Sequence, residues 1–270
     1  MSQELFINVM SAEVRAALMD DSALIDLIVE RRERASVVGN IYLGRVERMI
    51  KGMEAAFVDI GIGRSGFLGM DDKRRGNGET SVPVYEGEAI LVQVTKDAVG
   101  DKGVQLTRRL SLPGRSLVYA PSQDRVMISR QIEDETERDR LTGLMSDIAG
   151  QGEGFILRTA SVGASSEELA ADRAELVESW RAIEAAQAKV KAPSCLHADI
   201  DPVLRILRDH ALDGIDRIHV DDAAAADAAR KFCERAMPGM AERVAFHSGP
   251  AQMFEQYGIE EEIERACSRR

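Results

Sequence analysis

The chain has 270 residues, 44% of them hydrophobic, enough to bury a substantial core and to divide into one to three modules. Thirty-five Lys and Arg against 46 Asp and Glu give a net charge of -11, so the field of the whole molecule repels a polyanion and any nucleic-acid site has to be local. Cys195, Cys233 and Cys267 stand far apart with no C-x-x-C pairing, which excludes a disulfide framework or a zinc knuckle and fits a reducing cytoplasm; Met1 to Val9 lack a basic leader, and no run nears the roughly 18 apolar residues of a membrane span.

Three strand-like runs open the chain, Leu5 to Met10, Val14 to Asp20 and Ala23 to Glu30, with a turn at Asp20 to Ser22. They predict an antiparallel meander. Residues 36 to 110 are strand-rich, near Gly39 to Met49, Ala55 to Ile60, Ser65 to Leu68, Ala89 to Lys96 and Gly103 to Arg109, and five short strands with glycine-bearing turns predict a small barrel. From Leu112 to Val190 the pattern is mixed. Strands are expected near Ser116 to Ala120, Arg125 to Ser129 and Gly154 to Arg158, then a helix from Glu167 to Lys189 opened by a Ser165-x-x-Glu168 capping box. Lys191 to His197 reads as a linker.

The final third alternates helix and strand. Asp201 caps a helix with Pro202 at its first position, Val203, Leu204, Leu207 and Ala211 on one face and Gly214 as its stop. A strand Asp216 to Val220, a helix Ala223 to Ala236 capped by Asp222, a strand Arg243 to His247 and a helix Ile259 to Cys267 follow. Three antiparallel strands at one end and βαβα units at the other complete one mixed sheet of the ribonuclease-H-like kind. The two ends are therefore expected to form one domain around an insertion.

Several residues carry possible chemistry. A barrel that binds single-stranded RNA needs flat rings for bases to stack on and cations for phosphates. Phe57 and Phe67 are placed for stacking, and Arg64 and Lys102 for phosphate contacts. A strand phenylalanine in a generic barrel is more often core than platform, and spacing leaves both readings open. The acid pairs Asp20-Asp21, Asp71-Asp72 and Asp221-Asp222 sit where turns and caps use aspartate, and read as structural. Leu5 to Val9 hold no acid of the kind an active ribonuclease-H fold places in its first strand, so that sheet reads as a scaffold. His197, His210, His219 and His247 show no ligand spacing and receive no role.

Gly39-Asn-Ile-Tyr-Leu-Gly-Arg-Val46, Ala55-Ala-Phe-Val-Asp-Ile-Gly61 and Gly66-Phe-Leu68 together resemble the S1 RNA-binding domain of the ribonuclease E/G family. The resemblance continues through Val94-Thr-Lys-Asp97, Lys102-Gly103, Leu112-Pro-Gly114, Ile128-Ser-Arg-Gln-Ile-Glu133, Gly154-Phe-Ile-Leu-Arg-Thr-Ala160 and Arg205-x-x-Arg-Asp209 to Phe254. It implies an α+β multidomain chain: a ribonuclease-H-like domain (1–35 and 200–270) interrupted by an S1-type OB-fold barrel (36–110) and an α+β 5′-sensor subdomain (111–199). It also implies a pocket for the 5′-monophosphate of RNA, with Arg158 and Thr159 on the phosphate and Gly114, Val118 and Arg130 in support. A dianion suits a guanidinium fork beside a hydroxyl. The rival reading, Arg158 paired with a carboxylate such as Glu133, is a common surface arrangement.

The resemblance further implies an endoribonuclease for single-stranded RNA in processing and decay, homo-oligomeric at full length. Its Mg2+ is held by aspartates of a later nuclease domain. Those aspartates are expected beyond Arg269-Arg270, so no catalytic or metal residue is assigned here and the 270 residues are expected to bind RNA without cutting it. The alternative is a stand-alone, non-catalytic RNA-binding regulator.

Overall fold

The computed structural model describes residues 2–31, 36–50, 52, 55–69, 83–211, 214–249 and 252–268. The chain divides into two compact units, the first formed from the two ends together, Met1–Ser36 with Ile200–Arg270, and the second by Val37–Asp199. The amino-terminal meander consists of β1 (Gln3–Val9), β2 (Glu13–Asp20) and β3 (Ala23–Arg31), paired antiparallel in that order. Asp21 makes the tight turn with φ 52, a left-handed conformation that Asp tolerates, and its carboxylate accepts the Ser2 N–H at 3.0 Å.

In the second unit, β4 (Ile41–Ile50), β5 (Ala55–Asp59), β6 (Gly66–Gly69), β7 (Ala89–Lys96) and β8 (Gln105–Thr107) close into a barrel, in the order β4-β5-β6-β8-β7 and back to β4. Alternation decides what fills it: Val46, Ala56, Val58, Leu68, Val92, Val94 and Leu106 point inward and are buried, each large side chain contributing about 1.5–3 kcal/mol on burial.

An α+β portion follows within the same unit. It has β9 (Leu112–Pro113), β10 (Leu117–Tyr119), β11 (Val126–Ile128), α1 (Glu135–Ile148), β12 (Phe155–Leu157), α2 (Ser166–Gln187) and β13 (Ser194–His197). Its sheet runs β11-β12-β10-β9, with β11 and β12 parallel. Leu117, Tyr119, Phe155 and Leu157 on one face share a core with Leu141 and Met145 of α1 and Leu169, Leu176 and Val177 of α2.

Two elements differ from the sequence reading. Helix α1 was not expected, although Asp134 caps it by accepting the Thr136 N–H at 2.9 Å and Leu141, Leu144, Met145 and Ile148 make an apolar stripe. Its first two turns are polar throughout, so the stripe is short. The Lys191 to His197 segment is also more than a linker, because β13 pairs antiparallel with β4 over Ile41 to Leu43. Its burial is only partial, which leaves little periodicity to read. The capping box on α2 is formed as expected, Ser165 and Glu168 each taking the other's backbone N–H.

Back in the first unit come α3 (Pro202–His210), β14 (Ile215–Val220), α4 (Ala223–Ala236), β15 (Val244–Phe246), α5 (Met253–Gln256) and α6 (Ile259–Ser268). One five-stranded mixed sheet runs β15-β14-β1-β2-β3, with β14 parallel to both β1 and β15. Leu5, Ile7, Val14 and Ala16 on one side of it share a core with Val203 and Leu207 of α3 and Ala226 and Phe232 of α4. Phe6 and Ala17 on the other side meet Phe254 and Ile259. Helix α3 ends at His210 with Ala211 as its cap, before the expected Gly214, and buries Ile206 and Arg208 where Leu204 is only half-buried.

Candidate functional site

Phe57 and Phe67 lie opposite one another in the β5–β6 register, with ring centroids 6.2 Å apart at 72°. Both are half-buried while their neighbours Ala56, Val58, Gly66 and Leu68 are buried. The rings therefore stand on the outside of the barrel, not in its core. Register extends them into a row across five strands: Arg48 opposite Phe57, Gln105 opposite Phe67, and Lys96 opposite Gln105. The Arg48 guanidinium sits 5.3 Å from the centre of the Phe57 ring, within cation–π range. Arg48, Lys96 and Gln105 are exposed and were not singled out from sequence, because only the strand register puts them in line with the rings.

Arg64 and Lys102 lie on the loops that precede β6 and β8. Both are exposed, Lys102 pairs with Val99 in a backbone bridge, and Arg64 Nη1 donates to the Gly100 carbonyl at 3.3 Å. The Phe67 N–H donates to the Val104 carbonyl at 2.8 Å. This ties the two loops to the ring-bearing strand.

A second group gathers at one end of the four-stranded sheet. Because β11 and β12 are parallel, with Ile128 opposite Leu157, Arg130 and the Arg158-Thr159 pair follow the same ends of adjacent strands. Strand β10 runs antiparallel to β12, so Gly114 and Ser116, just ahead of it, come to that end too. Arg158 donates from Nη1 to the Gly114 carbonyl at 2.7 Å and from its backbone to the Ser116 carbonyl at 2.8 Å. Thr159 and Arg130 are exposed, and Val118, opposite Ile156, is half-buried.

Gly114 is held against α2. A Cβ there would lie 2.3 Å from Asp172 Oδ1, so only glycine fits without displacing that carboxylate. Asp172 in turn accepts the N–H groups of Arg115, Ser116 and Leu117 at 3.3, 2.8 and 2.8 Å. Burial pushes its carboxyl above the ordinary range against the downward pull of those three donors. Asp172 was not picked out from sequence, since nothing local marks an acid in a helix as the anchor of a loop some 55 residues earlier.

Residues 111–270 match the model of the ribonuclease E/G family. The chain belongs to that family. It is 35% identical over its whole length to Ribonuclease G of Salmonella typhimurium and of Escherichia coli, spanning 58% of each. Ribonuclease E of Haemophilus influenzae is 35% identical over 95% of the chain, which spans 29% of that protein. The chain thus covers about three fifths of the Ribonuclease G relatives and a smaller share of Ribonuclease E.

Several acids and one histidine of this ribonuclease E/G chain make structural contacts. Asp222 caps α4 by accepting the Ala225 N–H at 2.8 Å, and Asp221 accepts Asn8 Nδ2 at 2.5 Å and the Val9 N–H at 2.7 Å. Asp71-Asp72 lies outside the described residues. β1 begins two residues earlier than expected and so does contain an acid, Glu4, engaged with His219 Nε2 at 2.9 Å. His219 stacks on Phe6 at 4.5 Å, and burial pushes its imidazole below the ordinary range against the pull of Glu4. Among the described residues no three His, Cys, Asp or Glu side chains gather in a group that could hold a metal ion, and no helix is long and apolar enough to cross a membrane.

Proposed function

We propose that this chain is the RNA-holding part of an E/G-type endoribonuclease acting in RNA processing and decay in the cytoplasm. Its substrate is single-stranded RNA with a 5′-monophosphate end. The barrel reads as an S1-type OB fold (36–110), the α+β portion as the 5′-sensor (111–199), and the outer unit as a ribonuclease-H-like scaffold (1–35 with 200–270).

The observation that carries the reading is the convergence of Arg130, Arg158 and Thr159 at one sheet end in a chain of net charge -11. Two guanidinium groups and a hydroxyl there suit a terminal phosphate dianion, and the half-buried Val118 beside them suits the first base. The barrel supports it independently, since the second and third strands of an OB fold are where oligonucleotides bind, and those strands carry Phe57 and Phe67. Arg64 and Lys102 flank the rings as phosphate contacts.

In the family reading, Mg2+ supplies hydrolysis from a nuclease domain and full-length chains assemble as homo-oligomers. The side chains described here do not fit such an ion, so no hydrolytic step is assigned to them.

A short labelled oligoribonucleotide should bind about tenfold or more tightly with a 5′-monophosphate than with a 5′-hydroxyl, the worth of charge-assisted hydrogen bonds of roughly 1.5–3 kcal/mol. Arg158→Ala should erase that difference and leave binding of the 5′-hydroxyl oligonucleotide unchanged. Equal binding of both by the wild-type chain at moderate salt refutes the pocket.

A further inference from the structure

Two segments of the proposed pocket are held from behind by α1, a helix that contributes no side chain to it. Arg138 Nη1 donates to the carbonyls of Ser129 and Ile132 at 3.1 and 3.0 Å, clasping the turn that carries Arg130. Beside it, Glu137 takes Arg140 in a two-pronged fork, Nε and Nη2 each 2.7 Å from a carboxylate oxygen. The pair then reaches across to the loop after Thr159: Glu137 Oε1 accepts the Gly163 N–H at 2.8 Å, and Arg140 Nη1 donates to the Ala164 carbonyl at 2.9 Å.

An exposed ion pair on a helix ordinarily contributes little. This one differs because each partner also satisfies a backbone group of another segment. That segment turns through Gly163 at φ +77, a left-handed conformation, next to Val162, which is 51% exposed. The rest of the segment is held by its own short-range bonds: the Ser161 N–H and hydroxyl both donate to the Arg158 carbonyl, at 3.0 and 2.6 Å, the Val162 N–H to the Thr159 carbonyl at 3.2 Å and the Ala164 N–H to the Ser161 carbonyl at 3.0 Å.

We infer that Glu137 and Arg140 are positioning residues for 5′-end recognition. With Arg138 they make the amino-terminal turns of α1 a frame that sets the spacing between the Arg130 turn and the Thr159 loop. The inference rests on the pocket proposed above. A phosphate gripped from two loops is bound tightly only if the loops are already spaced for it; otherwise binding must order them first.

The test uses the 270-residue chain and the two oligoribonucleotides, with 5′-monophosphate and 5′-hydroxyl ends. Arg140→Met keeps the bulk of the side chain and removes its donors. It should reduce the monophosphate preference from about tenfold to about twofold, leave affinity for the 5′-hydroxyl oligonucleotide unchanged, and speed hydrogen exchange at the Gly163 amide. Arg140→Lys should fall between, keeping a charged donor nitrogen but not the planar fork.

A variant whose Gly163 amide exchanges faster while the preference stays at the wild-type value overturns the inference. So does a loss of affinity equal for both oligonucleotides, which marks a structural role only. If Arg140→Met does not fold, Glu137→Gln carries the same comparison. A wild-type preference of one overturns the pocket reading and the inference together, and is seen before any substitution is made.

Discussion

Phe57 and Phe67 show how a single residue's role turns on which side of a strand it faces. Both rings stand outward on the barrel, so Phe57→Ala or Phe67→Ala should weaken single-strand RNA binding by about 1–3 kcal/mol per lost stack, with little dependence on base sequence. Thermal unfolding of the same proteins should move little, whereas truncating a core phenylalanine costs about 3–5 kcal/mol. A large fall in melting temperature with affinity intact would return the rings to a packing role. From the sequence the rings were singled out with core and platform both open, and Arg158 and Thr159 were marked only by the family resemblance. Arg48, Gln105 and Lys96 were not singled out, because Gln105 reaches the rings through a parallel pairing, and Arg48 and Lys96 through register shifts after Val46 and Val94, that no local pattern announces.

At the scale of elements, strong caps made helices legible. Asp201 with Pro202, Asp222, and the Ser165–Glu168 box each mark a helix start in both sequence and structure. Helix α1 escaped notice despite its Asp134 cap because Glu135 to Arg140 are all polar, and their work is done on other segments. Its clasp has a pH signature. Arg140 foremost, and then the Gly163 N–H, lower the Glu137 carboxyl from 4.5 to about 2. A lowered carboxylate pKa means that the stabilisation is complete above 4.5 and is lost as pH falls through about 2. Carbon-13 titration of the Glu137 carboxyl should therefore find its midpoint near 2, returning toward 4.5 in Arg140→Met. An ordinary midpoint in the wild-type chain would mean that the fork does not persist in solution.

For the whole molecule, the expectation is binding without cleavage. Metal-assisted hydrolysis needs carboxylates fixed around the ion, and in the proposed reading these belong to the nuclease domain. Endonucleolytic products formed in magnesium by nuclease-free preparations of the 270 residues would contradict this. The sequence by itself determined the run of strands in the barrel, the completion of one sheet from the two chain ends, and the family, because hydrophobic alternation, capping residues and contiguous motifs are local signals. Only the tertiary structure decided that Arg130, Arg158 and Gly114 meet at one sheet end, that Asp172 anchors the loop beside them, and that the Lys191 to His197 segment adds a strand to the barrel. Those outcomes depend on strand direction and on partners tens of residues apart, and a chain's local chemistry does not encode which distant backbone N–H groups a given carboxylate will satisfy.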